Sequence, residues 1–428
     1  MSIPRLYAAA AETDITPQGT PMLCAEFAPR RAQGVHTPLM SRALLLEDGQ
    51  TRLVLLTLDL YGLEKTAADA LAQAAADAAG VSPEAVMIVC THTRAAPVTA
   101  HVAGCPEADT GYLQRLAEPI ADCVQQAQQA LQPAALGLGS VHLPHLVHNC
   151  RLLTRNYKAV STRLPLPENE VLHPEGETDP YIRVITVRDG RGFPICLVWH
   201  LAADLPAGRG DRISAAVPGS VQAAVDQRLG KHLPCLYLGG CGGDVTATLD
   251  AEHTARWLTD AVLAASFETP GDAHIRLDAC AETVILPARD VSQFWDEADI
   301  TLKYPAVLSL LGDESEWLRR TAKPAWHASL RLFCLGETAL AGLPGMPFVA
   351  FAQHIQAHSP FRHTLVVGNA HTHLGWIPTQ QAFDGGGLEV WASRSSRLER
   401  GAGEFLAWHT VRLLSALSTA SFKEKDYA

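Results

Sequence analysis

The chain has 428 residues, with 34 Lys and Arg against 45 Asp and Glu, a formal net charge of −11. Hydrophobic residues make up 47% and charged residues 18%, which excludes a disordered chain and a coiled coil and is enough for a full core. The acidic balance, with Lys and Arg scattered rather than massed, argues against nucleic acid as a partner.

The amino terminus runs from Met1 to Tyr7 into an alanine run that Glu12 and Asp14 stop, an apolar stretch too short for a secretory signal. Beyond it, apolar β-type runs alternate with helical patterns. Arg52–Leu60 reads as a strand, Lys65–Ala79 as a helix, Ala85–Cys90 as a strand and Tyr112–Leu131 as a helix. Strands are expected at Tyr181–Val187 and Ile195–His200, a helix at Pro218–Leu229, a strand at Pro234–Leu238 and a helix at Ala251–Phe267. A strand at Thr364–Gly368 and a helix at Gly403–Leu417 complete the series. Hairpin-like pairs at Leu44–Leu58, through Asp48-Gly49, and Ala328–Leu343, through Gly336-Glu337, add antiparallel pairing.

This pattern predicts an α/β fold: a single large domain over residues 1–428 with a mostly parallel or mixed sheet flanked by helices. Gln293–Thr321 reads as a mostly helical insertion whose Trp295, Tyr304 and Trp317 either cover a pocket or pack between helices. No apolar stretch reaches the roughly 20 residues of a membrane span, so no membrane partner is expected. Ten cysteines without tight even spacing point to buried thiols in a reducing, cytoplasmic setting rather than to a disulfide framework. Association into a homo-oligomer is compatible with the sequence and not specified by it.

In open α/β sheets ligands collect beyond the carboxyl ends of strands. Here those ends deliver Asp59, Thr91-His92-Thr93-Arg94, His200, Gly239–Thr246 and Asn369-Ala370-His371-Thr372-His373. Neutral imidazoles held at strand ends suit Zn²⁺, and three of them leave one position for water. With 18 histidines in the chain, however, any single strand-end histidine serves structure more often than metal. The glycine-rich turn before Asp244 fits neither phosphate-binding pattern; it either presents Asp244 to a ligand or is a plain tight turn. Thr246 is a candidate nucleophile, although an unassisted hydroxyl is weak. His142, His145 and His148 recur at threes, but Pro144 argues against the helix that would align them.

Several segments, in order, resemble the catalytic domain of the neutral (alkaline, non-lysosomal) ceramidase family. They are Ala8–Pro17, Gly34–Leu39 with Arg42-Ala43, Thr91-His92-Thr93, Asp179-Pro180 with the strand ending at His200, Gly242–Thr246, Leu343-Pro344-Gly345 and Asn369–Thr379. The resemblance covers almost the whole chain. It implies a zinc-dependent amidase whose metal is held by two histidines, a glutamate and a tyrosine. The histidines carry over to His92 and His200, whereas the glutamate falls on Met346 and the tyrosine on His373. A three-histidine site of His92, His200 and His373 around one divalent ion, zinc by implication, is therefore expected.

Other family positions also differ: Arg94 replaces a histidine, Ala95-Ala96 replace Ser-Gly, Ala216 an aspartate, Thr246 a serine and Leu388 a tyrosine. The expected function is a cytoplasmic metal-dependent hydrolase that cleaves an amide bond of a small, anionic N-acyl-type molecule other than ceramide. Asp244 or His371 would move the proton, with Thr246 beside them, and Arg94, Arg151 and Trp376 would contact substrate, the guanidinium groups pairing a carboxylate. The alternatives are a catalytically degenerate binding or scaffold protein, and a metal-assisted lyase or ester or lactone hydrolase on the same fold.

Overall fold

The computed structural model describes residues 5–25, 29–166, 171–207, 210–267, 271–290, 305–321 and 323–422. An eight-stranded sheet runs, edge to edge, through Cys235–Gly239, Pro194–Ala202, Asp179–Asp189, Gln132–His142, Tyr7–Asp14, Met40–Glu47, Arg52–Leu58 and Val86–Cys90. A four-stranded sheet runs through Leu277–Pro287, Ala325–Leu335, Thr338–Gly342 and His363–Val367. Within these sheets the strand pairs 52–58/86–90, 194–202/235–239 and 338–342/363–367 are parallel and the others antiparallel. The mixed sheet is thus the correct alternative.

Period-2 alternation sends successive side chains of each strand to opposite faces, and both faces are covered. Leu44, Leu46, Leu53, Leu55, Met87 and Val89 point toward Phe333, Leu340, Leu365 and Val367, forming a core between the two sheets. Their alternate neighbours Leu45, Val54, Leu56 and Ile88 pack outward against the helices Lys65–Ala79 and Ala117–Gln129. Further along the same sheet, Val184, Leu197, Trp199 and Tyr237 pack on helices Ala216–Leu229 and Ala251–Phe267. Val284, Leu330 and Leu332 turn the outer face of the smaller sheet toward helices Val349–His358 and Ala402–Phe422. Burial on both faces is why these strands read as nearly unbroken apolar runs.

Local chemistry explains the ends. The expected hairpins form: Asp48 Oδ1 accepts from the Gln50 and Thr51 amides beside Gly49 (φ 84°), and Gly336 (φ 65°) turns Leu335 onto Thr338. Helix Lys65–Ala79 closes on Gly80 in the left-handed region. The stretch expected as a single helix over Tyr112–Leu131 divides instead into Thr110–Arg115 and Ala117–Gln129. Pro119 has no N–H to donate to the Arg115 carbonyl, so the helical ladder cannot run through.

Of the expected insertion, Pro305–Arg320 is a helix, while Trp295 and Tyr304 lie outside the described residues. Trp317 is buried, its ring against His101 and Arg394, and its Nε1 donates to Glu107. No helix among the described residues is long and apolar enough to cross a membrane.

One feature of the topology positions the site. Both edges of the large sheet reach the carboxyl end of strand His363–Val367: Val89 bridges Ala370, and Gly240 bridges Val367. Three segments far apart in sequence, ending at His92, Gly240 and Asn369, therefore converge at one seam.

Candidate active site

Strand Val86–Cys90 ends in a sharp turn, with the Thr91 and His92 amides donating to the Leu58 and Leu60 carbonyls and His92 in the left-handed region (φ 63°). Its ring lies 4.0 Å from that of Tyr61, centroid to centroid, and its Nδ1 is 3.0 Å from the Tyr61 carbonyl oxygen. His373 arrives from the other side, its amide donating to the Leu63 carbonyl and its ring 5.8 Å from that of His92. Asn369 (φ 50°) stands between them, with Oδ1 2.9 Å from His373 Nδ1 and Nδ2 2.6 Å from the Tyr61 carbonyl oxygen. The Nε2 atoms of both histidines are buried and meet no hydrogen-bond partner. Burial lowers the His92 pKa to about 4, with Asp204 opposing and Arg94 adding to the shift. Burial, then the neighbouring His92 and Arg397, push His373 well below the usual imidazole range.

His200 does not complete this pair. It is buried on strand Pro194–Ala202 with Nε2 3.1 Å from the Val366 carbonyl oxygen, and Gly240 packs so closely that an added Cβ would lie 2.7 Å from that nitrogen. Among the described residues no group of three His, Cys, Asp or Glu side chains is placed to hold a metal ion. The three-histidine arrangement is accordingly corrected to a pair, His92 and His373, because the third imidazole is spent on a backbone carbonyl between the sheets. Met346, at the position of the family glutamate, lines the pocket and leaves the pair without a carboxylate from that side. Two unprotonated, unpartnered imidazole nitrogens suit part of a divalent-ion shell; the full set implied by the resemblance is not assembled.

His92 and Met346 face a small inner cavity of about 30 Å³, walled largely by backbone at Gly239, Gly240, Gly242, Gly345 and Gly368. His373 is not part of its lining and stands behind His92. The glycines are there for space: a Cβ at Gly242 would lie 2.6 Å from the Ala203 carbonyl carbon, and one at Gly368 2.8 Å from the Gly240 oxygen. Asp204 and Leu205 are shared with a wider outer cleft of about 330 Å³, lined also by Arg94, Arg163, Thr246 and Leu388.

Of the residues assigned to substrate from sequence, Arg94 lies in this cleft, where it grips Asp204 in bidentate fashion at 2.6 and 3.1 Å. Burial alone would raise Asp204, but Arg94 and Arg163 outweigh it and hold the carboxyl well below the usual carboxylate range. Arg151 is corrected: it has no exposure and is bound by Glu175, by Glu389 at 2.9 Å and by the Gly386 carbonyl at 2.7 Å. Its role in the cleft falls to Arg163, which reaches both Glu389 and Asp204. Trp376 is buried, with the Arg163 guanidinium 5.7 Å from its ring centre, and supports that arginine from behind.

The residues assigned to proton transfer are dispersed. Asp244 is buried away from both cavities, accepting from the Val349 amide at 2.8 Å and from Asn149 Nδ2 at 2.9 Å, so it holds the start of helix Val349–His358. His371 (φ 60°) turns its Nε2 to Asp69 at 3.0 Å and to Arg331 at 3.4 Å, also outside the cavities. Thr246 does line the outer cleft, but its hydroxyl donates to the Asp204 carbonyl at 3.2 Å. Sequence reasoning missed Tyr61, Asn369, Asp204 and Arg163. Asn369 carried a usable signal, since Asn after a strand is one of the few side chains that accepts the left-handed region.

No protein-family model matches the sequence, and no curated protein is similar to it by sequence. By structure, the chain is similar to the neutral ceramidase from Pseudomonas aeruginosa, at 16% identity and a TM-score of 0.75 over 97% of this chain and 74% of that one. It is similar also to a ceramidase complexed with C2, at 17% identity and a TM-score of 0.74 over 97% of this chain and 76% of that one. Across nearly all of its length, therefore, the chain has a ceramidase-like fold.

Proposed function

We propose that the protein is a hydrolase that cleaves an amide-type bond of a small molecule held in the outer cleft, at the mouth of the inner cavity, with His92 taking the proton of the attacking water. The observation that carries this reading is the His92 imidazole at the cavity wall, its Nδ1 engaged by a carbonyl and its Nε2 left without a partner. A buried neutral imidazole can accept a proton from a water held within hydrogen-bond reach, an effect worth roughly 10²–10⁴-fold. The likeness to two ceramidases supports hydrolysis as the class of reaction.

His92 and His373 are the residues whose Nε2 lone pairs would hold a divalent ion, zinc on the notion of a ceramidase-like site, and a His92 so engaged would position the ion in place of taking the proton itself. Such an ion would supply positive charge for the carbonyl oxygen and a more acidic bound water. What the chain itself supplies is a small glycine-walled chamber and a polar mouth. The expectation of an anionic substrate rested on Arg94 and Arg151, and both are matched by carboxylates already in place, Asp204 and the Glu175/Glu389 pair. The reading is therefore a small polar amide, with uncharged N-acyl amides as the first compounds to test and N-acyl amino acids as the anionic comparison.

The experiment is turnover of a panel of N-acyl amides by the purified protein, with and without added Zn²⁺, alongside metal analysis. The expected result is hydrolysis that His92→Ala abolishes, with metal content falling in His92→Ala and His373→Ala and retained in His200→Ala. Binding of the panel without turnover under every metal condition would overturn the reading in favour of a non-catalytic binding protein.

A further inference from the structure

The geometry assigns Asn369 as the positioning residue of His373: its amide oxygen fixes which ring nitrogen carries the proton, while its amide nitrogen holds the Tyr61 carbonyl that faces His92.

The orientation of that amide follows from its surroundings. Its Nδ2 lies 2.6 Å from the Tyr61 carbonyl oxygen and 3.3 Å from the Cys90 carbonyl oxygen. Carbonyl oxygens only accept, so the donor end of the amide must face them and Oδ1 must face His373. An amide oxygen also only accepts, so His373 Nδ1, 2.9 Å away, is the protonated nitrogen and Nε2 keeps its lone pair. The same reasoning applies to His92, whose Nδ1 donates to the Tyr61 carbonyl 3.0 Å away. That carbonyl accepts from Asn369 as well, which brings Asn369 Nδ2 to 3.4 Å from His92 Nδ1. Asn369 thus bonds His373 directly and shares with His92 the Tyr61 carbonyl oxygen, and both Nε2 atoms are left as bare acceptors.

The backbone makes the same demand. Asn369 sits at φ 50°, and its amide reaches the Tyr61 and Cys90 carbonyls from there. Gly would take this conformation without strain but offer no amide, whereas Asn satisfies both requirements.

The assignment deepens the hydrolase reading for its catalytic consequence only; the protonation pattern itself can be tested without any substrate. Ring ¹⁵N NMR on the full chain, with His373→Gln and His92→Gln spectra used for assignment, reads the tautomers directly. Both rings of the parent protein are expected to show protonated Nδ1 and bare Nε2. Asn369→Gly keeps the backbone conformation and deletes the amide, and is expected to lose the fixed Nδ1–H signal of His373. Asn369→Asp keeps an acceptor for His373 and is expected to retain it. If turnover is found, Asn369→Gly lowers kcat by about tenfold or more with KM little changed. An Nε2-protonated His373 in the parent, a fixed Nδ1–H in Asn369→Gly, or its loss in a folded Asn369→Asp would each overturn the assignment. Absence of turnover with the expected tautomers would count against the hydrolase alone.

Discussion

Gly62 and His373 are in contact so close that a methyl group cannot come between them: a Cβ added at Gly62 would lie 2.6 Å from both Cβ and Cγ of His373. The segment Tyr61-Gly62-Leu63 is the floor on which both imidazoles rest, since Tyr61 meets His92 and the Leu63 carbonyl receives the His373 amide. Gly62→Ala must push His373 or the floor aside, at a cost of roughly 1–3 kcal/mol as for other overpacked core sites. Chemical denaturation should show that loss, and the His373 ring resonances should move while those of the distant His409 stay in place.

Asp244 gives the protein a pH dependence of known sign. Burial raises its pKa to about 6, against the hydrogen bonds from Val349 and Asn149 that lower it. An acid with a folded value above its unfolded value near 4 is bound more tightly to its proton in the folded state, so stability falls as pH rises from about 4 to about 6. The full effect is roughly 3 kcal/mol. Thermal unfolding followed from pH 7 to pH 5 should show this contribution as a gain on acidification, and Asp244→Asn should lack it.

The buried network of Arg151, Glu389 and Arg163 locks the outer wall of the cleft. Burial alone would raise Glu389, but Arg151 and Arg163 outweigh it and keep the carboxyl below its usual range. Neutralising it leaves the Arg151 guanidinium, fully out of solvent, with only Glu175 as a counter-charge. Glu389→Gln should cost about 3 kcal/mol by denaturant titration, as for other broken buried pairs. A loss below about 0.5 kcal/mol would show that the network is not a lock.

Asp204 is the carboxylate that offsets both guanidinium groups of the cleft. With Asp204→Asn the mouth gains positive charge, and binding of N-acetylglycine should tighten by roughly tenfold at low salt. Raising the ionic strength should erode that gain, because the Debye length shrinks to about 8 Å at 0.15 M. Isothermal titration at two salt concentrations checks both statements.

The strands around the site were readable in the sequence because both faces are buried, and Arg52–Leu58, Val86–Cys90 and His363–Val367 lie where the apolar runs are. Gln132–His142 and Leu277–Pro287 were not read as strands. Their half-exposed alternation, with Gly137 and Gly139 in one and Asp278 and Glu282 in the other, has no strong apolar run. The helix-terminal and hairpin glycines announced themselves, since a positive φ is a local demand. Site residues were less legible. His92 was recognisable as a strand-end imidazole, whereas Arg151 and Arg94 looked alike in sequence and differ only in the carboxylates that meet them.

The residue order by itself determined the alternation of strand and helix, the hairpins and the candidate imidazoles, because periodicity and turn chemistry act over a few residues. Only tertiary packing decided which imidazoles meet. His92 and His373 are brought together by two sheet edges closing on one strand end, and His200, on a neighbouring strand, is held by the Val366 carbonyl instead. No local pattern encodes that choice, since it depends on which distant carbonyl happens to face each ring once the layers have packed.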